Sequence, residues 1–417
     1  MMRALFAGVS GLRNHQTRMD VIGNNIANVN TVGFKGSRVT FKEAFFQVLR
    51  SASRGHGELG GLNPMEIGAG MNIGTIDTLF TQGSLETTGQ PLDLAIQGQA
   101  LFVLGNGQSH LYTRAGNFQL DADGRLVAPA SGYIVQGILA DSLGTLSTTA
   151  AVGDLQIQLG QRSPPRQTSQ VTLVGNLNSA AAVGDAHSMG ITVYESSGAT
   201  HQLRLLFTNT GPGAWSWTAQ LDGTAVPSTT PGAVTFNADG TLASFTYPDG
   251  AASLTLTVAG GASFQVSIDA GTVGGMNGLA GFANPSNAVV SSQDGYQAGD
   301  LQNIAVDSRG VITGYFSNGE SRSLAQIALA NFGNPGGLVR QGDNLYLESP
   351  NSGAAVIGFA GGTNSSTLTP GALESSNVDI SQEFIDMIIA QRGFQANARV
   401  ITTADEMLND LVNLRRM

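Results

Sequence analysis

The sequence predicts a mainly β protein with α-helical termini, in which the N- and C-terminal helices pair as a coiled coil and two β domains are nested, one discontinuous and one inserted. Three observations predict it. Glycine accounts for 56 of 417 residues while charged residues make up only 12 %, a composition suited to many short strands joined by turns. Residues 374–417 hold no proline and a single glycine, Gly393, and their apolar positions recur at steps of three and four, as on one face of a helix. The first thirty residues carry a second stripe of the same period, and two such seams at opposite ends of one chain point to one shared coiled coil.

In the C-terminal stretch Met387, Phe394, Ile401 and Leu408 step by seven, and Phe384, Ile388 and Leu411 widen the seam. Ser376 or Asn377 is the predicted N-cap, with Asp379 and Glu383 near the positive end of the helix dipole and Arg415 and Arg416 at the negative end. A helix from Val378 to Leu414 would run about 55 Å at 1.5 Å per residue. At the other terminus Leu5, Leu12, Met19 and Ile26 also step by seven, with Val9 and Ile22 on the same face. The predicted helix, Arg3 to Val29, contains Gly8, Gly11, Gly23, Asn24 and Asn25, which cost up to about 1 kcal/mol each against alanine. Alone it is marginal, so both terminal helices are expected to form durably only when neighbouring copies bury their seams. Charge favours the pairing modestly. Residues 1–60 carry eight basic and three acidic side chains, and residues 374–417 four basic and seven acidic, with exposed pairs contributing at most about 1 kcal/mol each.

Four domains are expected along the chain: a terminal coiled-coil domain (1–35 plus 374–417), a connecting segment (36–67), a discontinuous inner β domain (68–149 plus 285–373) and an inserted outer β domain (150–284). The inner domain carries short strands at 72–79, 92–96, 101–104, 119–127 and 133–139. Asp121-Ala122-Asp123-Gly124 reads as a hairpin turn, since no glutamate stands where a calcium loop needs one. Ser163-Pro164-Pro165 marks a break, after which strict alternation, as in Leu254-Thr255-Leu256-Thr257-Val258, predicts an antiparallel domain. Trp215 and Trp217 fall on one face of a strand there, and packing is the expected role ahead of a carbohydrate platform. Residues 271–281 read as the return linker.

Most chemistry is excluded. The net charge is −10, which argues against nucleic acid and anionic membranes as partners, and no apolar run is long enough for membrane insertion. There is no cysteine. The five histidines, His15, His56, His110, His187 and His201, lack metal-ligand spacing, and no nucleophile elbow appears. Gly55-His56-Gly57-Glu58-Leu59-Gly60 matches a dinucleotide fingerprint formally but follows no strand, and reads as loop. No catalytic residue, cofactor or metal is expected. Met1 to Val9 is a short apolar run without a convincing cleavage site, so no cleaved signal peptide is expected.

The run Asn24-Asn25-Ile26-Ala27-Asn28-Val29-Asn30-Thr31-Val32-Gly33-Phe34-Lys35 is helix-ending turn chemistry, and it resembles the signature of bacterial flagellar axial proteins, the rod and hook family. Asn24, Asn25, Ala27, Asn28, Asn30, Thr31, Gly33, Phe34 and Lys35 carry the match. Tyr112-Thr113-Arg114-Ala115-Gly116-Asn117-Phe118 resembles a stretch shared by hook and distal-rod members, while Gln326 to Leu338, Glu374 to Asp379 and Ala390 to Asn397 are similar to hook members in particular. The resemblance implies a structural subunit that polymerises into the flexible tube coupling rod to filament. It also implies partners: further copies of itself, the distal rod protein, the hook cap protein, the hook-filament junction protein and the flagellar export apparatus. Phe41 and Phe45 resemble the short export-gate pattern, and extracellular location at the flagellum without signal cleavage is the expectation. Two alternatives stand beside it: a distal rod or other axial subunit, and a secreted glycan-binding β protein resting on Trp215 and Trp217.

Overall fold

The computed structural model describes all residues except 1, 55–59, 108, 142–143, 148–150, 159, 259–260, 262, 363–364 and 415–417, and leaves the side chains of Leu411, Val412 and Leu414 undescribed. The Gly55–Gly60 loop reading and the Arg415 and Arg416 charges therefore fall largely or wholly outside the described residues. The chain is mainly β, bracketed by two long helices, α1 (Met2–Ala27) and α2 (Ile380–Leu414). It folds as two compact units, one comprising Met1–Leu159, Ile304–Gly314 and Arg322–Met417, the other Gly160–Asn303 and Tyr315–Ser321.

In the first unit, strand Leu101–Gly105 is the centre of the sheet because both its faces are apolar, and all five residues are buried. It pairs antiparallel with His110–Thr113, with Ile134–Leu139 and with Leu329–Asn331. Phe102 meets Phe118 edge to face at 4.9 Å. The expected strand over 119–127 is instead two short strands, Gln119–Leu120 and Leu126–Val127, folded about the Asp121–Gly124 turn, where Gly124 takes φ +76° and any larger residue would be strained. Two small ladders tie the returning chain to the outgoing one: Thr367–Pro370 pairs with Leu94–Gln97, and Ala372–Glu374 with Leu85–Thr87. Near the N-terminus, Ser37–Glu43 pairs with Met71–Thr78.

The second unit buries both tryptophans. Trp217 stacks between Phe207 and Phe245 at 6.2 and 5.3 Å and donates its indole N–H to Thr246 O at 3.0 Å, so the pair packs the core and offers no sugar platform. The unit is not purely antiparallel: Gln170–Asn176 runs parallel to Ser263–Asp269 and to Leu279–Ala280. Residues 271–303 stay with this unit, where 271–281 read as a linker and 285 as the start of the inner domain. The reason is Asn176, whose amide accepts from Phe282 N (2.7 Å) and donates to Asn284 O (2.9 Å), while Val289–Gln293 pairs antiparallel with its strand.

Candidate assembly site at the paired termini

Helices α1 and α2 pack antiparallel, Gly8 lying against Ile401, His15 against Gly393 and Asn25 against Glu383. On α2 Glu383, Met387, Ala390, Phe394, Asn397, Ile401, Ala404 and Leu408 are buried or half-buried, alternating four and three, the period of a coiled-coil seam. Ala390 and Ala404 are fully buried. These two alanines let the backbones come close, and α1 answers with buried Gly8, Gly11, Ile22 and Asn25. Leu5, Leu12, Met19 and Ile26 are half-buried beside that strip, and Val9 lies at its exposed edge. Phe384 and Ile388, expected in the seam, are turned off it and half exposed (50 % and 51 %) together with Ile380, Ile385 and Ile389. Apolar character misled the sequence reading here: Phe384 and Ile388, four residues apart, share a face beside the strip rather than on it. The Leu411 side chain lies outside the described residues.

Polar ties fix the pair. Arg18 bridges to Asp386 at 3.1 Å. Asn25 donates to Glu383 Oε1 at 2.9 Å and exchanges bonds with Ser37, donating to its carbonyl at 2.8 Å and accepting from its N–H at 2.9 Å. Burial, reinforced by Asp386, raises the pKa of the Glu383 carboxyl. The α2 N-cap is Asp379, whose Oδ1 accepts from Ser381 N at 2.8 Å and Gln382 N at 3.2 Å. Asn377, expected to cap, is spent elsewhere: it accepts from Gly36 N at 2.8 Å and donates to Leu79 O at 2.8 Å.

The signature run builds the base of the helix pair. Asn28 donates back to Asn24 O at 2.9 Å, and Thr31 donates to Asn28 Oδ1 at 3.2 Å, closing the turn after α1, whose last residue is Ala27. Asn30 is exposed. Gly33 sits at φ +68°, where an added Cβ would lie 2.7 Å from the Arg114 and Ala115 backbone, and its N–H donates to Glu374 O at 2.8 Å. Phe34 is buried beneath the Arg340 guanidinium, 5.4 Å from its centroid. The Lys35 amine is sealed inside, donating to Thr81 O and Glu374 Oε1, both at 2.7 Å. The other Glu374 oxygen accepts from Arg114 Nε, while Arg114 also donates to Ile96 O at 3.0 Å, Gly98 O at 2.7 Å and Ala100 O. One carboxylate thus faces two buried cations, the carbonyls taking up the remaining donors as a buried ion network requires. Burial pushes the Lys35 pKa down, the Glu374 hydrogen bond and charge oppose it, and Arg114 adds to the depression.

Arg114 and Glu374 were seen in the sequence only as parts of resembling stretches, with no role attached. Phe41 is half-buried and meets the His15 ring edge to face at 5.6 Å, whereas Phe45, four residues on, is 87 % exposed. The strand pair that follows it, Phe46–Arg50 with Met65–Gly68, is exposed throughout. Among the described residues no cluster of three His, Cys, Asp or Glu side chains is placed to hold a metal ion, and no helix is long and apolar enough to cross a membrane.

Family models match four stretches: "Flagella basal body rod protein" over 5–35, "Flagellar hook protein FlgE/F/G D1 domain" over 95–176, "Flagellar basal body protein FlaE D2 domain" over 166–296, and "Flagellar basal body rod FlgEFG protein C-terminal" over 369–414. The chain is 40 % identical to the flagellar hook protein FlgE of Borreliella burgdorferi and 42 % identical to that of Treponema pallidum, in both cases over 100 % of each chain. It is 35 % identical to the Escherichia coli flagellar hook protein FlgE over 99 % of this chain and 100 % of that one. The crystal structure of Helicobacter pylori flagellar hook protein FlgE2 shares the fold, with a TM-score of 0.53 and 18 % identity over 70 % of this chain and 100 % of that chain.

Proposed function

Because the chain belongs to the flagellar hook protein FlgE family, it is a structural subunit of the hook, and we propose that copies of it polymerise through their paired termini into the torque-transmitting tube. In this reading the helix pair lines the inside of the tube, the split β unit forms its wall, and the inserted unit faces outward. One observation carries it: Ile380, Phe384, Ile385, Ile388 and Ile389 leave an apolar strip on α2 that the chain's own seam does not cover. Apolar area of that kind contributes about 25 cal/mol per Å² when a neighbouring copy buries it. The distal rod protein, the hook cap protein, the hook-filament junction protein and the export apparatus are the proposed further partners. Export without signal cleavage and extracellular location belong to the same proposal, with Phe41 and Phe45 as the export pattern. No catalytic role is proposed.

Electron microscopy of the purified chain under polymerising conditions tests the reading, with curved tubes as the expected result. Ile401→Asp puts a charge into the seam and is expected to abolish tubes while both β units stay folded. Normal tubes from that variant, or from a chain lacking 1–35 and 374–417, would overturn the assembly role of the termini.

A further inference from the structure

We propose that residues 161–167 form a strap that peels reversibly from the second unit when the chain ahead of it is loaded, and that Thr168 and Asp294 are the stop that holds the core shut behind it. The chain enters and leaves this unit side by side. Arg162 and Ser163 pair antiparallel with Asp300 and Gly299, Arg166 with Tyr296, and Val171 with Gln293. The incoming segment therefore zips onto the outgoing one from an open end inwards, and the zip changes character along its length.

Its outer stretch is weakly held. From Gly160 to Gln170 the sequence carries no apolar side chain except Pro164 and Pro165, so peeling it gives up little of the apolar burial that dominates cohesion in a fold. Of residues 161–167 only Ser163 is buried. Among the described residues Arg162–Ser163 is an edge strand, paired on one side, and neither proline has an N–H to donate. Leu301 N donates to Gln161 O at 3.2 Å, and Arg166 and Tyr296 exchange backbone bonds at 2.9 and 3.0 Å. The Arg162–Asp300 pair is 74 % and 64 % exposed and contributes at most about 1 kcal/mol. The outgoing strand is anchored separately: Ser317 N donates to Asp300 O at 2.9 Å, and Asn318 donates to Gln297 O at 2.9 Å.

At Thr168 the resistance rises. Thr168 is fully buried; its N–H donates to Tyr194 O at 2.9 Å, its hydroxyl accepts from Tyr194 N at 2.9 Å and donates to Gln293 Oε1 at 3.0 Å. Asp294 reaches across from the outgoing side. Its Oδ1 accepts from Ser169 N at 2.8 Å and Gln170 N at 2.9 Å, and its Oδ2 from the Ser169 hydroxyl at 2.6 Å and from Arg166 at 3.4 Å. Behind this clasp Gln170–Asn176 is flanked on both sides, by Ser263–Asp269 and Val289–Gln293, with Val171 and Leu173 fully buried. Peeling thus releases about seven residues, roughly 25 Å of extended chain, before it meets the core. Only the use of that slack, as give in a torque-bearing tube, rests on the function proposed above; the peeling is a property of one chain.

Optical-tweezers pulling on the full-length chain tests it. The sequence holds no cysteine, so Gln161→Cys and Gln302→Cys supply two unique thiol handles at the open end. A reversible step of about 25 Å is expected at lower force than rupture of the unit. Adding Arg162→Ala should leave the length of that step unchanged, whereas adding Asp294→Ala should remove the stop, so that strap and core strand open in one transition. A single rupture without the early step, or a separate step of unchanged length in the Asp294→Ala chain, overturns the proposal. Should Asp294→Ala not fold, as judged by the fluorescence of Trp215 and Trp217, hydrogen exchange in the unsubstituted chain decides. The Arg166 and Tyr296 amides are expected to exchange at least about tenfold faster than those of residues 171–174, and equal rates are equally fatal.

Discussion

Replacing Glu374 with Gln keeps the side-chain volume and removes the one negative charge facing Lys35 and Arg114. In the folded chain Lys35, Glu374 and Arg114 are 1 %, 0 % and 4 % exposed, so water cannot take over the neutralisation. Breaking a buried ion pair by deleting one partner costs about 3 to 5 kcal/mol, because the remaining charge stays buried. For a unit of this size that corresponds to roughly 6 to 20 °C of thermal midpoint. Differential scanning calorimetry would read the first unit, while tryptophan fluorescence supplies an internal control, since both tryptophans, Trp215 and Trp217, lie in the second unit. The calorimetric transition of the first unit is expected to fall and the tryptophan transition to hold. Lys35→Met makes the reasoning sharper: it leaves Arg114 and Glu374 as a balanced pair and should cost less than Glu374→Gln. A loss below about 1 kcal/mol for Glu374→Gln, or the reverse order of the two variants, would refute the account of the network as one carboxylate serving two cations.

Gly33→Ala forces a side chain into the left-handed region and against the Arg114 backbone, and should lower the stability of the first unit by about 2 kcal/mol or more, read by the same calorimetry. In the second unit His201 lies 2.7 Å from Asp222 Oδ2 and 3.5 Å from Glu195 Oε2, and the Asp222 hydrogen bond is the main cause of its raised pKa. Its contribution is therefore fully present below pH 6.5 and lost as pH rises through the raised value; NMR titration should place the midpoint above 6.5, and His201→Gln should remove that step from the stability profile. Phe45→Ser alters a side chain that touches little in the folded chain, so stability should stay within about 0.5 kcal/mol while secretion through the flagellar export apparatus falls; full secretion would remove Phe45 from the export pattern.

The two helices were legible because periodicity survives in a one-dimensional text: Met387, Phe394, Ile401 and Leu408 lie on the observed seam, as do Ile22 and the positions flanking it. Other strip positions were not, since Ala390 and Asn397 look unremarkable until the distance between backbones is known. Phe384 and Ile388 misled for the same reason, being apolar for a surface the lone chain leaves open. Turn chemistry placed the end of α1 and the Asp121–Gly124 hairpin, where local residues decide. The network of Lys35, Arg114 and Glu374 has no local signal at all: its members are brought together by the Leu85–Thr87 and Leu94–Gln97 ladders, which pair segments nearly three hundred residues apart. Asp379 took the cap because Asn377 had found better partners across the chain.

Lys35 and Glu374 are separated by 339 positions, so the salt-bridge network draws on both the opening and the closing passages of the polypeptide. A chain threaded outward from its N-terminus would present Lys35 and Arg114 long before the residue that neutralises them. Until Glu374 arrives, two positive charges resist dehydration, and the base of the first unit stays open. The fold thereby reports on its own completeness: a molecule missing its final stretch carries, near its beginning, the electrostatic mark of being unfinished.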